Sequence, residues 1–420
     1  MSCLRLNCST TLTTLFAFTI IVGWLIISEM KNEIKNVKIA GISTINGVDT
    51  AQRPDQPTNP QGVFAKVTQR IDLISRAFLP WGGGVRGEDF YAWCTDPDSV
   101  DNSATGMFFI KIPKCASSTG AGVAIRISIN THQRINGMDK GNHTVTRKGC
   151  TNCCKAVYKH SKARTYFTNG HDFGRSMLWS IIREPTNRLI SQTFFFEVSR
   201  RGMEPTDQNV LRTFKKYGKN EGNHQWAWLV TDMPERFQKE GFNPANESEC
   251  IVRSIVNDYD FIAVAERLDE SFVAMKILFR LELGDLLYLS SKTNGGYDDG
   301  GTGRCVKIVK ANLSSSTQEF LDSKEHQRHF EMDNLLYAAV NQSLDKTIQK
   351  IGRSMFEEEL EKYQRALKLV QEECTAFAKF PCSPEGELQL DMSTKSCYFN
   401  DWGCGHRCID RWIAERGGDL

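Results

Sequence analysis

Residues 111–120, with the sequence KIPKCASSTG, combine two lysines with a run of small and hydroxyl side chains. The apolar sequence FFIKI leads into this segment and predicts a buried strand, whereas AGVAIRISI follows it and predicts a helix. A tight loop between a strand and a helix directs backbone N–H groups and the helix dipole at one point, where an anion can bind. The segment therefore predicts a phosphate site in which Lys114, Ser117, Ser118 and Thr119 add donors, although it does not follow the Walker A pattern G-x-x-x-x-G-K-[ST].

A second segment with phosphate-binding chemistry begins at Arg183. Residues 176–182 (SMLWSII) predict another buried strand, so we expect Arg183 at its carboxyl end. Pro185 suits the first turn of a helix, which would place Ser191 about two turns along that helix. An arginine can bind a phosphate through two parallel hydrogen bonds, and a serine hydroxyl can donate to the same group. Two such strand ends predict a ligand that carries two separated phosphates.

Together the segments resemble the 5′- and 3′-phosphate-binding motifs of sulfotransferases that use 3′-phosphoadenosine 5′-phosphosulfate (PAPS). The closest resemblance is to the Golgi, membrane-anchored carbohydrate sulfotransferases. Their first motif typically runs Pro-Lys-Thr and then small and hydroxyl residues, where this chain has PKCASST with Cys115 in place of the Thr. Their second motif typically runs Arg-Asp-Pro, then a further Arg, then a Ser eight residues after the first Arg. This spacing is kept by Arg183, Pro185, Arg188 and Ser191, with Glu184 in place of the Asp.

The resemblance implies a three-layer α/β fold, in which helices flank a mainly parallel sheet with the topology of P-loop NTPases. It implies transfer of a sulfuryl group from PAPS to a carbohydrate hydroxyl by in-line displacement, with no metal. Lys114 would stabilise the negative charge of the leaving group, by the electrostatic logic that also governs phosphoryl transfer. The residues that the resemblance assigns to PAPS binding are Lys114, Ala116, Ser117, Ser118, Thr119, Gly120, Arg183 and Ser191.

The reaction also needs a base for the proton of the attacking hydroxyl, and a histidine of near-neutral pKa suits this task. Gly170-His171 lies shortly before Arg183 and resembles a Gly-His pair in sulfotransferases that act on the uronic acids of glycosaminoglycans, where the histidine resembles the base. We therefore predict His171 as the general base, with a structural turn histidine as the alternative interpretation. Glu197 and His224 are the other candidates for the base.

The N-terminal part of the chain predicts a membrane anchor. Residues 11–28 are apolar and uncharged over about the length of one transmembrane helix, and a cleaved signal peptide is the alternative. The preceding residues 1–10 would be a cytoplasmic tail, and the polar, proline-containing residues 29–89 a luminal stem. A sulfotransferase catalytic domain is expected over 90–350, followed by an amphipathic helix and a cysteine-rich segment over 351–420.

Sequons and cysteines favour a luminal catalytic domain. N-x-[ST] sequences begin at Asn142, Asn246, Asn312 and Asn341, and twelve cysteines follow the apolar segment. We predict a single-pass type II protein of the Golgi membrane. Disulfides are the expected state of most of these cysteines, including those of the Cys150-x-x-Cys153 pattern, although such a pattern also occurs in zinc sites. The sequence leaves the disulfide pairing open.

Composition limits the choice of partner. The net charge of +2 gives no sign of nucleic-acid binding. The resemblance implies a carbohydrate acceptor as the partner. Basic residues within 200–219 would suit an anionic glycan, whereas a solvated helix face is the simpler interpretation of that stretch. The amphipathic pattern over 354–374 predicts a helix that packs on the domain and that could also contribute to a homodimer contact.

Two D-x-D triplets, Asp96–Asp98 and Asp258–Asp260, raise the alternative of a metal-dependent Golgi glycosyltransferase. We interpret them instead as a turn and a strand entrance. A luminal ATP-dependent kinase that uses the 111–120 segment is a second alternative. A non-catalytic, disulfide-rich glycan-binding protein is a third, and it would not need Lys114, Arg183 or Ser191.

Overall fold

Four parallel strands form the central sheet in the computed structural model of the protein. They are β1 (Gly106–Ile110), β4 (Ala156–Val157), β5 (Ser176–Ile182) and β6 (Phe261–Val264), in the order β4-β1-β5-β6. All residues of β1, β5 and β6 are buried, which explains why these strands read as continuous apolar runs without alternation. Helices flank the sheet, and the prediction of an α/β fold with a parallel sheet is confirmed at this level.

The structure describes most of the chain beyond residue 70. The described residues are 71–81, 91–94, 105–137, 144–145, 150–167, 171, 173–231, 248–290, 295–298, 303–378, 380–389 and 405–416. Two short hairpins within them pair β2 (Thr144–Val145) with β3 (Cys150–Thr151) and β7 (Tyr297–Asp298) with β8 (Val306–Lys307). The helices of the first half are α1 (Ser117–Asn136), α2 (Pro185–Gln192), a π-helical continuation of α2 over Thr193–Arg200, α3 (Asp207–Glu221), α4 (Gln225–Leu229) and α5 (Ser248–Asp258). Those of the second half are α6 (Leu268–Phe279), α7 (Leu283–Leu286), α8 (Ser315–Asp322), α9 (Lys324–Gln327), α10 (Glu331–Ile351), α11 (Arg353–Cys374) and α12 (His406–Arg416).

The main hydrophobic core begins earlier in the chain than the sequence suggested. Phe78 and Trp81 are buried in it, although residues 29–89 were expected to form a stem. The backbone N–H of Phe78 donates to Thr347 Oγ1 (2.8 Å), and that of Trp81 donates to the carbonyl of Leu278 (2.9 Å). Residues 71–81 are therefore part of the folded domain, and the predicted boundary at residue 90 is wrong.

The C-terminal helices pack on the same core. Helix α11 buries Phe356, Tyr363 and Val370 there, and α12 buries Trp412, so α11 packs on the domain as its amphipathic pattern predicted. Arg126 of α1, which is buried, donates to Asp410 of α12 over 2.9 Å and joins α12 to α1.

Four disulfides join cysteines in the part of the chain that the structure describes. They are Cys94–Cys154, Cys150–Cys153, Cys305–Cys382 and Cys374–Cys408. The prediction of disulfides for Cys150 and Cys153 is confirmed. The Cys305–Cys382 disulfide joins the C-terminal segment to the 295–308 region, and Cys374–Cys408 lies within that segment. Cys397 and Cys404 lie outside the described residues.

The predicted membrane anchor, residues 11–28, also lies outside the described residues, as do the tail and most of the predicted stem. Among the residues that the structure does describe, no helix combines the length and the apolar character needed to cross a membrane.

Candidate active site

The carboxyl ends of the parallel strands meet at one edge of the sheet, which we call the carboxyl edge. Residues 111–116 follow β1 there, Arg183 follows β5, and Ala265–Arg267 follow β6. The chain passes from β1 to β4 on one side and from β5 to β6 on the other, so the direction of winding reverses between β1 and β5. Ligands of open parallel sheets bind at such a reversal. The two predicted phosphate segments therefore flank the expected binding crevice.

The first phosphate segment contains a turn with left-handed backbone geometry. The φ angle of Lys114 is 68° and that of Ala116 is 50°, values that non-glycine residues adopt only when their surroundings hold them. Helix α1 begins directly after this turn at Ser117, and its first turn contains no acidic residue. Because Ala116 at the N-cap has no side-chain acceptor, an anion can take the place of a cap on the first N–H groups of α1.

Gly120 allows α1 to lie directly on the sheet. A Cβ atom at this position would lie 2.3 Å from Phe109 Cζ of β1 and 2.8 Å from Ile181 Cδ1 of β5. These distances are too short for any larger residue unless the side chains of Phe109 and Ile181 move. The N-terminus of α1 is thereby held over the gap between β1 and β5, which fits the predicted place of Gly120 in the phosphate segment.

Arg183 connects the two phosphate segments. It follows the last residue of β5, as predicted, and its Nη1 atom donates to the carbonyl of Lys114 over 3.3 Å. Its Nε atom lies 3.8 Å from Oε1 of Glu266, which follows β6 at the same edge. The guanidinium is one-third exposed, so it is open to a ligand.

Helix α2 begins as the sequence predicted, with Pro185 in its first turn. The carboxylate of Glu184 caps this helix by accepting from the backbone N–H groups of Thr186 (2.9 Å) and Asn187 (2.6 Å). The residue that replaces the usual Asp of the motif therefore has a structural role. Ser191 lies near the end of the helix and is partly buried.

Arg188 differs from its expected position. A charged residue on a predicted helix is expected at the surface, but Arg188 is fully buried, and its Nη1 atom donates to Gln192 Oε1 over 2.6 Å. Its positive charge opposes ionisation of His224 and favours that of the Cys115 thiol. Arg188 thus contributes positive potential from the buried face of α2.

The ammonium group of Lys114 lies 3.5 Å from the ring centroid of Phe195, in the π-helical segment that continues α2. Arg200 lies over the same ring at 4.4 Å and pairs with Asp298 of β7. A cation over an aromatic face is held by the ring quadrupole, typically with about 0.5–1 kcal/mol at partly exposed sites. Phe195 therefore restricts where the Lys114 side chain can point.

His171 lies at the opposite edge of the sheet from the phosphate segments. Its Nε2 atom is 3.2 Å from the carbonyl of Ser176, the first residue of β5, and its Nδ1 atom is 3.1 Å from the carbonyl of Asp258. Arg183 follows the other end of this seven-residue strand, roughly 20 Å away at about 3.3 Å per residue. The prediction of His171 as the general base is wrong because its ring joins the strand start to α5, far from the crevice.

Glu197 and His224, the other candidates for the base, lie on segments that contact the crevice. Glu197 is two residues from Phe195 and accepts from Tyr217 and Arg201. Burial alone would raise the pKa of Glu197, but these hydrogen bonds outweigh it and lower the pKa. Burial, with help from the charges of Arg188 and Lys162, lowers the pKa of His224 to about 3, so His224 is neutral near pH 7.

The Asp258–Asp260 triplet is occupied by contacts within the protein. Asp260 is buried and accepts from the backbone N–H of Leu178 (2.7 Å), and Asp258 accepts from the hydroxyl of Thr231 (2.7 Å). These carboxylates lie before β6 and thus at the edge away from the crevice. The interpretation as a strand entrance is confirmed. The other triplet, residues 96–98, lies outside the described residues.

Sequence reasoning missed two residues that contact the predicted site. Glu266 faces Arg183, and the fully buried Gln225 contacts both Cys115 and Arg183. The position of Glu266 directly after a buried strand was a usable signal, because the ends of parallel strands share one edge. Gln225 had no such signal, since its contacts span 42 and 110 residues of chain.

Comparison with known proteins agrees with this geometry. The sequence model of one protein family, the Sulfotransferase family, matches residues 98–338. This range is more than half of the 420-residue chain and includes both phosphate segments. No curated protein matches the chain significantly. From the extent of the family match, and from the two phosphate segments that flank the crevice of a parallel sheet, we conclude that the chain belongs to the sulfotransferase family.

Proposed function

We propose that this sulfotransferase moves the sulfuryl group of PAPS to a hydroxyl group of a carbohydrate. One observation carries the proposal: Arg183 Nη1 donates to the carbonyl of Lys114, so the two phosphate segments lie against each other. A single ligand with two phosphate groups can therefore contact both segments. Such a ligand is the nucleotide of PAPS, which carries phosphates on both its 3′ and 5′ carbons.

The residues present fit this donor. The 5′-phosphosulfate would bind at the N-terminus of α1. Ala116 leaves the first N–H groups there uncapped, and Ser117, Ser118 and Thr119 carry hydroxyls. The 3′-phosphate would take Arg183, with Ser191 as the second donor of the motif. Lys162 follows the edge strand β4 and adds a further positive charge to the carboxyl edge. The positive potential of this edge supports an anionic nucleotide as ligand.

PAPS supplies an activated sulfuryl group, and the residues of the chain supply orientation, charge and proton transfer. Negative charge grows on the 5′-phosphate as the bond to sulfur breaks, and Lys114 is placed in the segment that would hold this phosphate. An ammonium group at that position lowers the barrier by electrostatic stabilisation. Contact with Phe195 limits the positions that Lys114 Nζ can adopt and so reduces the reorganisation that the reaction needs.

We propose that Glu197 is the general base that accepts the proton of the acceptor hydroxyl. Its lowered pKa keeps its carboxylate ionised at neutral pH and able to accept a proton. It lies on the same π-helical segment as Phe195, which contacts Lys114. For His224, burial and the positive charges of Arg188 and Lys162 oppose the imidazolium that proton transfer would form.

The proposed setting is the Golgi lumen, in a single-pass type II membrane protein. Disulfides of the kind seen at Cys94–Cys154 and Cys374–Cys408 are typical of oxidising compartments, which supports a luminal catalytic domain. The acceptor would then be a glycan of the secretory pathway. The exposed basic residues of α3, Lys215 and Lys216 among them, favour an anionic glycan.

The choice of nucleotide tests the function. Thermal unfolding of the purified chain should be followed with 3′,5′-adenosine bisphosphate, with ATP–Mg²⁺ and with UDP–Mn²⁺, since a ligand that binds the folded state raises its stability. We expect a rise in the unfolding midpoint with the bisphosphate alone, and its loss in Arg183→Ala. Transfer of labelled sulfate from PAPS to a panel of neutral and anionic glycans would then identify the acceptor class.

Other outcomes would support the alternatives. A response to UDP–Mn²⁺ alone would indicate a metal-dependent glycosyltransferase, and a response to ATP–Mg²⁺ alone a kinase. Glycan binding that persists in Lys114→Ala and Arg183→Ala, without sulfate transfer by the unmodified chain, would indicate a binding protein. The contacts of Asp258 and Asp260 within the protein weigh against the glycosyltransferase.

A further inference from the structure

The side chain of Gln225 lies between the two phosphate segments and is fully buried. Its Oε1 atom accepts from the backbone N–H of Arg183 (2.8 Å), and its Nε2 atom donates to the carbonyl of the same residue (2.8 Å). The thiol of Cys115 donates to the same Oε1 atom over 3.2 Å. One amide group therefore contacts residue 115 of the first segment and residue 183 of the second.

The direction of the thiol hydrogen bond follows from the state of Cys115. This residue is fully buried, and burial raises the pKa of its thiol to about 12, so the group keeps its proton near pH 7. An amide oxygen has two lone pairs, and Gln225 Oε1 uses one for the Arg183 N–H and the other for the thiol. The cysteine thus supplies a weak but buried donor at the place where the family more often has a threonine.

The bond to Cys115 holds the middle of the strained turn. Lys114 and Ala116, the residues on either side, both have positive φ angles, a conformation that is unfavourable for residues other than glycine. A turn of this kind persists only when its neighbours hold it in place. Gln225 supplies a fixed hydrogen bond at the residue between the two strained positions, immediately before α1.

The backbone of Gln225 is fixed in turn by Asp333 of α10. The fully buried carboxylate of Asp333 accepts from the N–H groups of His224 (2.9 Å), Gln225 (2.8 Å) and Trp226 (3.0 Å). A second set of hydrogen bonds joins the same two segments, since Asn223 Oδ1 accepts from the N–H groups of Met332 (3.0 Å) and Asp333 (3.2 Å). The amide of Gln225 is therefore anchored to the body of the domain through α10.

We propose that Gln225 is a positioning residue that holds the N-terminus of α1 and the Arg183 guanidinium at the spacing of the two donor phosphates. The inference rests on the proposed function and adds a residue outside both phosphate segments. Gln225 acts through Cys115 and Arg183 and does not itself bind the nucleotide. Because the two phosphates are joined by one ribose, their spacing is nearly fixed, and a small shift between the segments weakens both contacts at once.

The test compares Gln225→Met, which keeps the length of the side chain but removes the amide, with a matched pair at position 115. Cys115→Ala removes the thiol donor, whereas Cys115→Ser keeps a donor of similar size. We expect the Kd of 3′,5′-adenosine bisphosphate to rise about tenfold in Gln225→Met and about threefold in Cys115→Ala, and to stay within twofold in Cys115→Ser. The double variant Gln225→Met with Cys115→Ala should bind no worse than Gln225→Met alone.

Kinetics separate positioning from a general loss of structure. The KM for PAPS should rise with the Kd of the bisphosphate, while the KM for the acceptor stays within twofold. Equal increases in both KM values, with a lower unfolding midpoint, would show a merely structural role. Bisphosphate binding within twofold of the unmodified chain in a folded Gln225→Met would overturn the proposal. If Gln225→Met does not fold, equal losses of affinity in Cys115→Ala and Cys115→Ser would overturn it.

Amide hydrogen exchange distinguishes failure of this inference from failure of the proposed function. If the unmodified chain does not bind the bisphosphate, the proposed function is wrong, but exchange at the N–H of Gly120, which donates to the carbonyl of Ala116 in the turn (3.0 Å), needs no ligand. Faster exchange there in both Gln225→Met and Cys115→Ala, with Cys115→Ser unchanged, would still show that Gln225 holds the turn. Unchanged exchange in Gln225→Met would reject that role.

Discussion

The Nε atom of Arg183 lies 3.8 Å from Oε1 of Glu266, and the same carboxylate accepts from the backbone N–H of Glu184 at 3.1 Å. The arginine proposed to bind the 3′-phosphate thus faces a carboxylate from the end of the neighbouring strand. A phosphate at Arg183 would have to share the guanidinium with this group and would be repelled by it. Glu266 therefore sets part of the affinity for an anionic ligand.

Glu266→Gln is expected to strengthen binding of 3′,5′-adenosine bisphosphate about two- to fivefold. The substitution removes the negative charge but keeps an oxygen that can accept from the Glu184 N–H. The expected gain is small because both side chains are about one-third exposed, and pairs of this kind contribute roughly 0–1 kcal/mol. Isothermal titration calorimetry at two salt concentrations measures the change.

Glu282→Gln is the matched control for this experiment. Glu282 pairs with Arg134 of α1 at 3.3 Å and is 63% exposed, so its removal changes the net charge equally without touching the site. The two variants should differ in affinity, with the control unchanged. Weaker binding in Glu266→Gln would instead show that the carboxylate orients Arg183 for the ligand.

The sequence predicts the two phosphate segments well because each is a local unit of strand, turn and helix start. The predicted strand over 176–182 coincides with β5, and the predicted helix start at Pro185 coincides with α2. Apolar runs and a proline act over a few residues, so their structural meaning does not depend on the rest of the chain. The family motif adds only the expectation that the two units meet, which the contact between Arg183 and Lys114 confirms.

The errors have three physical origins. His171 precedes β5 and Arg183 follows it, so strand direction alone places them at opposite edges, a signal that the likeness to a Gly-His motif obscured. Gln225 and Asp333 act through hydrogen bonds between segments about 40 to 110 residues apart, and nothing in the local sequence predicts such contacts. Arg188 was misplaced because a charge on a helix is normally solvated, whereas here it is buried.

Glu197→Gln is expected to lower kcat at least about 100-fold, with little change in the KM for PAPS, because removal of a general base typically costs 10²–10⁴-fold. The amide can still accept from Tyr217, so the helix contact is kept. Since the pKa of Glu197 is lowered, its carboxylate stays ionised above that value and protonates only as the pH falls through it. We therefore expect kcat to stay level through the ordinary glutamate range and to fall only at more acidic pH.

His224→Asn serves as the comparison for the assignment of the base. His224 is neutral near pH 7, since burial lowers its pKa to about 3, and its replacement should change kcat by less than about threefold. Steady-state rates of sulfate transfer for both variants decide between the two residues. A large loss in His224→Asn with little loss in Glu197→Gln would reverse the assignment.

The thiol of Cys115 should resist alkylation in the folded protein. With a pKa raised to about 12 by burial, only about one thiol in 10⁴ is ionised at pH 8, and the thiolate is the reactive form. We expect iodoacetamide to modify Cys115 at least about 100-fold more slowly in the folded chain than in urea, as measured by mass spectrometry of peptides. Equal rates of modification of Cys115 in the folded chain and in urea would contradict the buried, protonated state.

Asp333→Ala should destabilise the protein by about 3 kcal/mol. The substitution leaves the N–H groups of His224, Gln225 and Trp226 without their shared acceptor in a buried position, and an unsatisfied buried group costs about 1–3 kcal/mol. Asn223→Ala removes the reciprocal cap between the same two helices, but from an exposed side chain, and should cost only about 1 kcal/mol. Urea unfolding of the two variants measures this difference, and the bisphosphate affinity of Asp333→Ala should fall as well because the anchor of Gln225 is lost. Equal stability losses in the two variants would mean that burial of the Asp333 carboxylate contributes nothing beyond an ordinary helix cap.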